Sequence, residues 1–207
     1  GMVVTAQHLA TDVGVAVLEA GGNAVDAAVA VGYALAVTYP TAGNLGGGGF
    51  MTIRLADGRT TFLDFRERAP QAATRDMYLD ARGEPVPGAS TDTYLAVGVP
   101  GSVAGLELAR EKYGSRPRAE LIAPAIALAR DGFALEAGDV AAFAEGNDML
   151  AQDPAAAAIF LQDGKPLPLG ARLVQSDLAG TLQAIAEGGA DAFYKGQTAE
   201  LIVKASG

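Results

Sequence analysis

Four consecutive glycines, Gly46–Gly49, stand directly against a run that reads as a β-strand, in the stretch "AGNLGGGGFMTIRL" over residues 42–55. Backbone without Cβ atoms either turns to positive φ or lets a neighbouring element come into contact, so the run fixes a place of close packing or sharp turning. Two phosphate-binding patterns fail here. A Walker loop needs Gly-Lys-Ser/Thr opening a helix, whereas Gly49 runs into Phe50 and a strand. The dinucleotide fingerprint starting from Gly46 and Gly48 needs its third glycine at Met51, and it belongs after a strand and before a helix, the reverse of this order. Close approach of backbone is the reading that remains.

The flanking segments give the fold class. Thr5 is placed to cap a helix whose apolar positions Leu9, Val13, Val17 and Leu18 recur at helical spacing and stop at Gly21-Gly22. Asn23 caps a second helix from Ala24 to about Thr38, apolar nearly all round and ended by Pro40, which therefore belongs in the middle of a layered domain. "FMTIRL" and "TTFLDF" flank Asp57-Gly58, a favoured pair for a tight hairpin turn. Residues 67–99 read as irregular, with one short helix near Asp76–Asp80. Further helices are expected at about 101–113, 119–131, 136–151 and 176–187, and from about 196. A small hairpin or extended connection is expected over 159–174. The class is α+β, helix-rich with a central antiparallel hairpin. Two strands make a thin sheet, and helical periodicity still runs at "AELIVKASG", so residues 1–207 read as one partial domain of a larger fold.

Composition excludes several functions. The net charge of -9 opposes a nucleic-acid partner, which needs a concentrated basic surface. With no cysteine there are no disulfides and no thiolate metal sites, and no metal or cofactor is expected. Residues 24–37 contain Asp26 and fall short of the roughly 20 residues a membrane span needs. The N-terminus, "GMVVTAQHLATDV", lacks a basic segment followed by an apolar one, so no signal peptide is read in this chain.

Few residues are candidates for chemistry. His8, the single histidine, has no metal-spacing partner and reads as a partly exposed helix residue. Thr60-Thr61 lies at mid-strand without the free α-amine that makes threonine a nucleophile. "DFRERAP", residues 64–70, differs because it places Arg66 and Arg68 just past an apolar strand, where loops carry function. Arginine fixed at a strand end can clamp a carboxylate with two parallel hydrogen bonds. A surface ion-pair cluster among Asp64, Arg66, Glu67 and Arg68 explains the same pattern equally well.

Taken together, "EAGGNAVDAAVAVGYALAV" (19–37), "AGNLGGGGFM" (42–51), "DFRERAP" (64–70), "VPGSVAGLELAREKYG" (99–114), "PAIALARDGF" (124–133) and "DAFYKG" (191–196) resemble the γ-glutamyltransferases, also called γ-glutamyltranspeptidases or glutathione hydrolases. The motifs occur in the family's order and run across nearly the whole chain, which makes the set specific where each alone is not. Members are made as precursors that cut themselves before a threonine, giving large and small subunits in an αββα N-terminal-nucleophile fold. The resemblance places this chain in the first part of the large subunit, with the small catalytic subunit as its partner.

The same resemblance implies γ-glutamyl transfer from glutathione or a related amide to water or an amino acid, through an acyl-enzyme on the freed threonine. Arg66 matches the position that binds the substrate α-carboxylate. Glu67 and Arg68 carry no assigned role. The threonine nucleophile, the residues gripping the substrate amine and the paired oxyanion-hole glycines lie beyond residue 207 in family members. This chain alone is therefore expected to supply scaffold and Arg66, with no catalytic residue and no turnover. A periplasmic or secreted location follows from the family. Two rivals stand beside this reading: a related N-terminal-nucleophile acylase of the cephalosporin amidase type, and a non-catalytic module that binds γ-glutamyl compounds or assembles with another protein.

Overall fold

The apolar second helix organises the chain. The computed structural model describes residues 1–206, and in it α2 (Ala24–Thr38) buries ten of its side chains. It packs against α1 (His8–Glu19), α3 (Ser102–Tyr113) and α4 (Arg118–Asp131). A helix apolar on all sides must be covered on all sides; these neighbours cover most of it and leave Ala28, Val31, Gly32 and Leu35 half-buried beside a cavity of about 380 Å³. α4 in turn packs on α8 (Ser176–Gly188), and α9 (Ala190–Tyr194) bridges α8, α3 and the last helix, α10 (Gln197–Ser206). The fold is helix-rich α+β with small antiparallel sheets.

The hairpin forms as its alternation requires. β1 (Phe50–Arg54) pairs with β2 (Thr60–Asp64) in the register Phe50–Asp64, Thr52–Phe62, Arg54–Thr60, and Gly58 makes the turn at φ 89°. Ile53 and Leu63 point into the core. Phe50 and Phe62 stack on the outer face, ring centroids 5.8 Å apart and each more than half exposed. Two shorter pairs follow: β3 (Phe133–Ala134) with β6 (Arg172–Leu173), and β4 (Leu161–Gln162) with β5 (Lys165–Pro166). The connection over 159–174 is thus both a small hairpin and an extended return.

Four expectations need correction. α1 starts at His8, capped by Gln7 and not by Thr5: Gln7 Oε1 accepts from the amides of Leu9 (2.7 Å) and Ala10 (3.3 Å). Thr5 turns its hydroxyl to the Gln7 carbonyl and the Thr11 hydroxyl, which removes it from the cap. The helix expected over 136–151 breaks at Gly146 into α5 (Ala137–Glu145) and α6 (Asn147–Gln152). An additional helix, α7 (Pro154–Phe160), follows, with Asp153 as its cap and Pro154 in its first turn. Residues 76–80 form turns and a bridge between Leu79 and Pro85, and the helical turn of this region is instead a 3-10 turn at Tyr94–Ala96.

A carboxylate holds the two halves of the helical layer together. Asp26 is fully buried in the first turn of α2 and closes a capping box with Asn23. Its oxygens also accept from the Ser115 hydroxyl (2.6 Å), the Ser115 amide (2.8 Å) and the Arg116 amide (3.1 Å), and Asn23 donates to the Tyr113 carbonyl at 2.8 Å. Burial by itself would raise the Asp26 pKa. The Ser115 hydroxyl and the amides of Asn23, Ser115 and Arg116 outweigh it and hold the carboxyl below the usual range. The start of α2 is thereby tied to the turn that leaves α3.

Candidate functional site

The segment after β2 is threaded between the glycine loop and the start of α3. Gly49 and Phe65 extend the hairpin by one pair, with N–H to O distances of 3.4 and 3.0 Å. The Gly47 carbonyl accepts from the amides of Gly101 (2.7 Å) and Ser102 (2.9 Å), the first donors of α3. Three residues after Phe65, Arg68 and Val99 exchange backbone bonds at 3.2 and 2.7 Å. The chain at residues 65–68 thus has a partner on each side.

Glycine is required for that threading. A Cβ on Gly48 would lie 2.6 Å from the Phe65 carbonyl oxygen, 2.8 Å from the Glu67 nitrogen and 2.9 Å from the Arg66 Cα, all backbone atoms that cannot rotate away. On the far side a Cβ on Gly101 would meet the Phe65 carbonyl, and one on Gly105 would meet the Phe65 ring. None of Gly46–Gly49 has positive φ. Close approach, and not a special turn, explains the run. Gly46 has open space around its missing Cβ.

Arg66 is displayed by this arrangement. Its amide donates to Asp64 Oδ1 at 3.0 Å, which turns the chain off the strand, and its side chain is exposed. Among the described residues no ion pair within 4.0 Å joins Asp64, Arg66, Glu67 or Arg68. The surface cluster that the pattern equally allowed is therefore absent, and Asp64 serves the backbone instead. Two surface cavities, about 440 and 380 Å³, are not lined by Arg66, whose side chain is exposed in this chain.

The element behind Arg66 is stiffened by charge. Glu107 of α3 is buried and takes Arg110 at 3.2 Å and Arg118 of α4. Beside this group lies the phenol of Tyr33, fully buried and without a hydrogen-bond partner. Burial and the nearby Glu107 charge raise its pKa well above the ordinary tyrosine range.

The other candidates separate. His8 opens α1, half exposed, with Nδ1 3.4 Å from Glu136 Oε2. Thr60 and Thr61 are paired strand residues opposite Arg54 and Ile53, and Thr61 Oγ1 accepts from the Tyr113 hydroxyl at 3.5 Å. Asp131-Gly132 ends α4, and the Arg172 guanidinium donates to both of their carbonyls. No group of three or more His, Asp or Glu among the described residues is placed to hold a metal ion. No described helix is long and apolar enough to cross a membrane. Sequence reasoning missed two polar centres, Asp26 and Gln7. The Asn23-x-x-Asp26 spacing carried a signal for the first; none marked the second.

Comparison with known proteins bears on this geometry. A family model described as Gamma-glutamyltranspeptidase matches residues 10–206. The chain is similar to the glutathione hydrolase proenzyme of Pseudomonas sp. (strain A14), 62% identical over 204 residues, 98% of this chain and 36% of that protein. It is 53% identical over 207 residues to the glutathione hydrolase proenzyme of Escherichia coli (strain K12), covering 99% of this chain and 35% of that one. Its fold superposes on the crystal structure of Helicobacter pylori γ-glutamyltranspeptidase with a TM-score of 0.97 at 47% identity, over 99% of this chain and 59% of that chain. An acylase ACY 1 proenzyme of Pseudomonas sp. (strain SE83) is a more distant relative at 43% identity over 205 residues, 95% of this chain and 36% of that protein. The chain thus spans about a third of the length of the curated relatives it matches. With the matched region, the relatives and the backbone all agreeing, the chain belongs to the γ-glutamyltranspeptidase family.

Proposed function

We propose that this chain is the N-terminal, scaffold portion of the large subunit of a γ-glutamyltransferase and glutathione hydrolase, and that Arg66 holds the α-carboxylate of the γ-glutamyl substrate. The observation that carries the reading is the presentation of Arg66: backbone clamped between Gly48 and Gly101, guanidinium exposed, no internal acid taking its charge. A guanidinium fork matches a carboxylate with two parallel, charge-assisted hydrogen bonds. Pre-set backbone lowers the cost of holding that geometry.

Chemistry enters from polypeptide outside this sequence. An N-terminal threonine, freed when the precursor cuts itself, gives its hydroxyl proton to its own α-amine as the oxygen attacks the γ-carbonyl. The tetrahedral adduct collapses to an ester, and the departing amine leaves with the proton. Water or an amino acid then takes the γ-glutamyl group and frees the threonine. Arg66 fixes where the γ-carbonyl falls by anchoring the other end of the glutamyl unit. The outer face of the hairpin, with Phe50 and Phe62 stacked and exposed, fits a second sheet laid over it in an αββα sandwich completed by the small subunit. A periplasmic or secreted location belongs to the same proposal.

Replacing Arg66 with Gln in the full-length protein tests the role. The expected result is a KM for γ-glutamyl amides raised at least tenfold, with self-cleavage intact; an unchanged KM rejects the assignment. The 43% identity to an acylase proenzyme supports a second reading, a related acylase on the same scaffold. Turnover of acyl amides lacking an α-carboxylate, undiminished by the Arg66 change, would select it.

A further inference from the structure

We propose that Tyr194 is a positioning residue for Arg66: its hydroxyl, reaching from α9, fixes the start of α3 against which the Arg66 backbone is packed. The inference rests on the role proposed for Arg66 and adds to it a residue that acts through the backbone. Tyr194 lies in the "DAFYKG" stretch, to which the site described above gives no task.

α3 begins without a cap of its own. Gly101 stands at the N-cap and makes no side-chain hydrogen bond, so the first amides must find acceptors elsewhere. The Gly47 carbonyl takes those of Gly101 and Ser102. The Tyr194 hydroxyl takes the next, accepting from the Ala104 amide at 3.2 Å, and it donates to the Pro100 carbonyl at 2.9 Å. Burial raises its pKa above the ordinary tyrosine range, so at neutral pH the group remains a hydroxyl and keeps both bonds. A side chain 90 residues away in sequence thus serves as the cap of α3.

The segment it bonds is the far wall of the Arg66 clamp. Val99, next to Pro100, exchanges both backbone bonds with Arg68. Gly101 lies between the two groups that Tyr194 holds, and a Cβ there would meet the Phe65 carbonyl and stand 3.3 Å from the Arg66 carbonyl oxygen. The hydroxyl comes from a fixed element. Phe193, 4% exposed, meets the Tyr194 ring edge-on at 5.1 Å, and a Cβ on Gly189, just before α9, would lie 2.7 Å from the Arg118 guanidinium that holds Glu107 of α3. Ala104 is exposed, so water can satisfy these groups when the hydroxyl is removed, but water does not tie them to α9. Loss of the hydroxyl therefore loosens position and leaves the fold intact.

The test compares full-length wild type, Tyr194→Phe, Arg66→Gln and the double variant on a γ-glutamyl anilide and on the 4-aminobutyryl anilide, which lacks the α-carboxylate. Tyr194→Phe is expected to raise KM for the first substrate about threefold to tenfold, with kcat within about twofold, as a loosened anchor does, and to leave kcat/KM for the second unchanged. In the Arg66→Gln background it is expected to add nothing. Hydrogen–deuterium exchange is expected to quicken over residues 65–68 and 99–105 and to stay the same over α1. Unchanged exchange over those residues, equal losses on the two substrates, or effects of the two substitutions that multiply would overturn the proposal. A KM raised by Arg66→Gln and untouched by Tyr194→Phe overturns the role of Tyr194 alone; a KM unchanged in Arg66→Gln overturns the reading of Arg66 and this inference with it.

Discussion

Adding one methyl group at Gly48 tests how the Arg66 segment is held. In Gly48→Ala the new Cβ would stand 2.6 Å from the Phe65 carbonyl oxygen, where ordinary contact begins at 3.4 Å, so backbone must yield by the difference, 0.8 Å. The loop cannot retreat cheaply, because Gly47 holds the first amides of α3 and Gly49 is paired with Phe65. The displaced part is therefore residues 65–67. Overpacking of this kind costs about 1–3 kcal/mol of stability, and a substrate anchor misplaced by about 1 Å can cost on the order of 100-fold in rate. Gly46→Ala is the internal control, since its Cβ would meet nothing within 4 Å. The assay is kcat and KM on a γ-glutamyl anilide with the full-length protein, beside a gel for self-cleavage. Gly48→Ala should lower kcat/KM between tenfold and 100-fold, on the same order-of-magnitude argument, while Gly46→Ala stays near wild type. Equal effects of the two substitutions, or none from Gly48→Ala, would refute close approach as the reason for the glycine run.

Two further outcomes follow from the interior and one from the hairpin. Asp26→Asn removes the charge that four donors surround and should cost about 2–4 kcal/mol at neutral pH. Because the folded carboxyl titrates below its ordinary value, its contribution is complete above the unfolded pKa near 3.8 and is lost as pH falls through the folded one, so the gap between variant and wild type should close on acidification. Denaturant titrations at a series of pH values check this, and a gap independent of pH contradicts it. Tyr33→Phe deletes a buried hydroxyl that has no partner and should leave stability unchanged or raise it by about 1 kcal/mol; thermal melts showing a loss would mean the hydroxyl is bonded. Thr60→Ala with Thr61→Ala should leave precursor self-cleavage complete on a gel, since both are paired strand residues.

Legibility followed the range of the interactions. α2 and the hairpin were readable because apolar periodicity, Asn23, Pro40 and Asp57-Gly58 are all local signals. The cap of α1 was not: Thr5 fits the N-cap preference better than Gln7, yet its hydroxyl bonds to Thr11 and the Gln7 carbonyl. α7 carries a local signal in Asp153-Pro154, a cap residue followed by proline in the first turn. The glycine run announced a close neighbour without naming it, because Phe65–Glu67 and Gly101 come from other parts of the chain. Pattern alone left Arg66 balanced between a clamp and an ion-pair cluster, since exposure and the absence of a partner are properties of the folded chain.

The most direct measurement pairs the Arg66→Gln change with removal of the substrate group it is assigned to hold. Full-length wild type and variant are compared on a γ-glutamyl anilide and on the matching 4-aminobutyryl anilide, which lacks only the α-carboxylate. Arg66 is exposed in this chain; with the pair enclosed by the remainder of the full-length protein, its charge-assisted hydrogen bonds predict a coupling of about 2–4 kcal/mol: wild type prefers the carboxylate-bearing substrate by kcat/KM, and the variant loses most of that preference. Equal preference in the two proteins would mean that Arg66 and the α-carboxylate never meet.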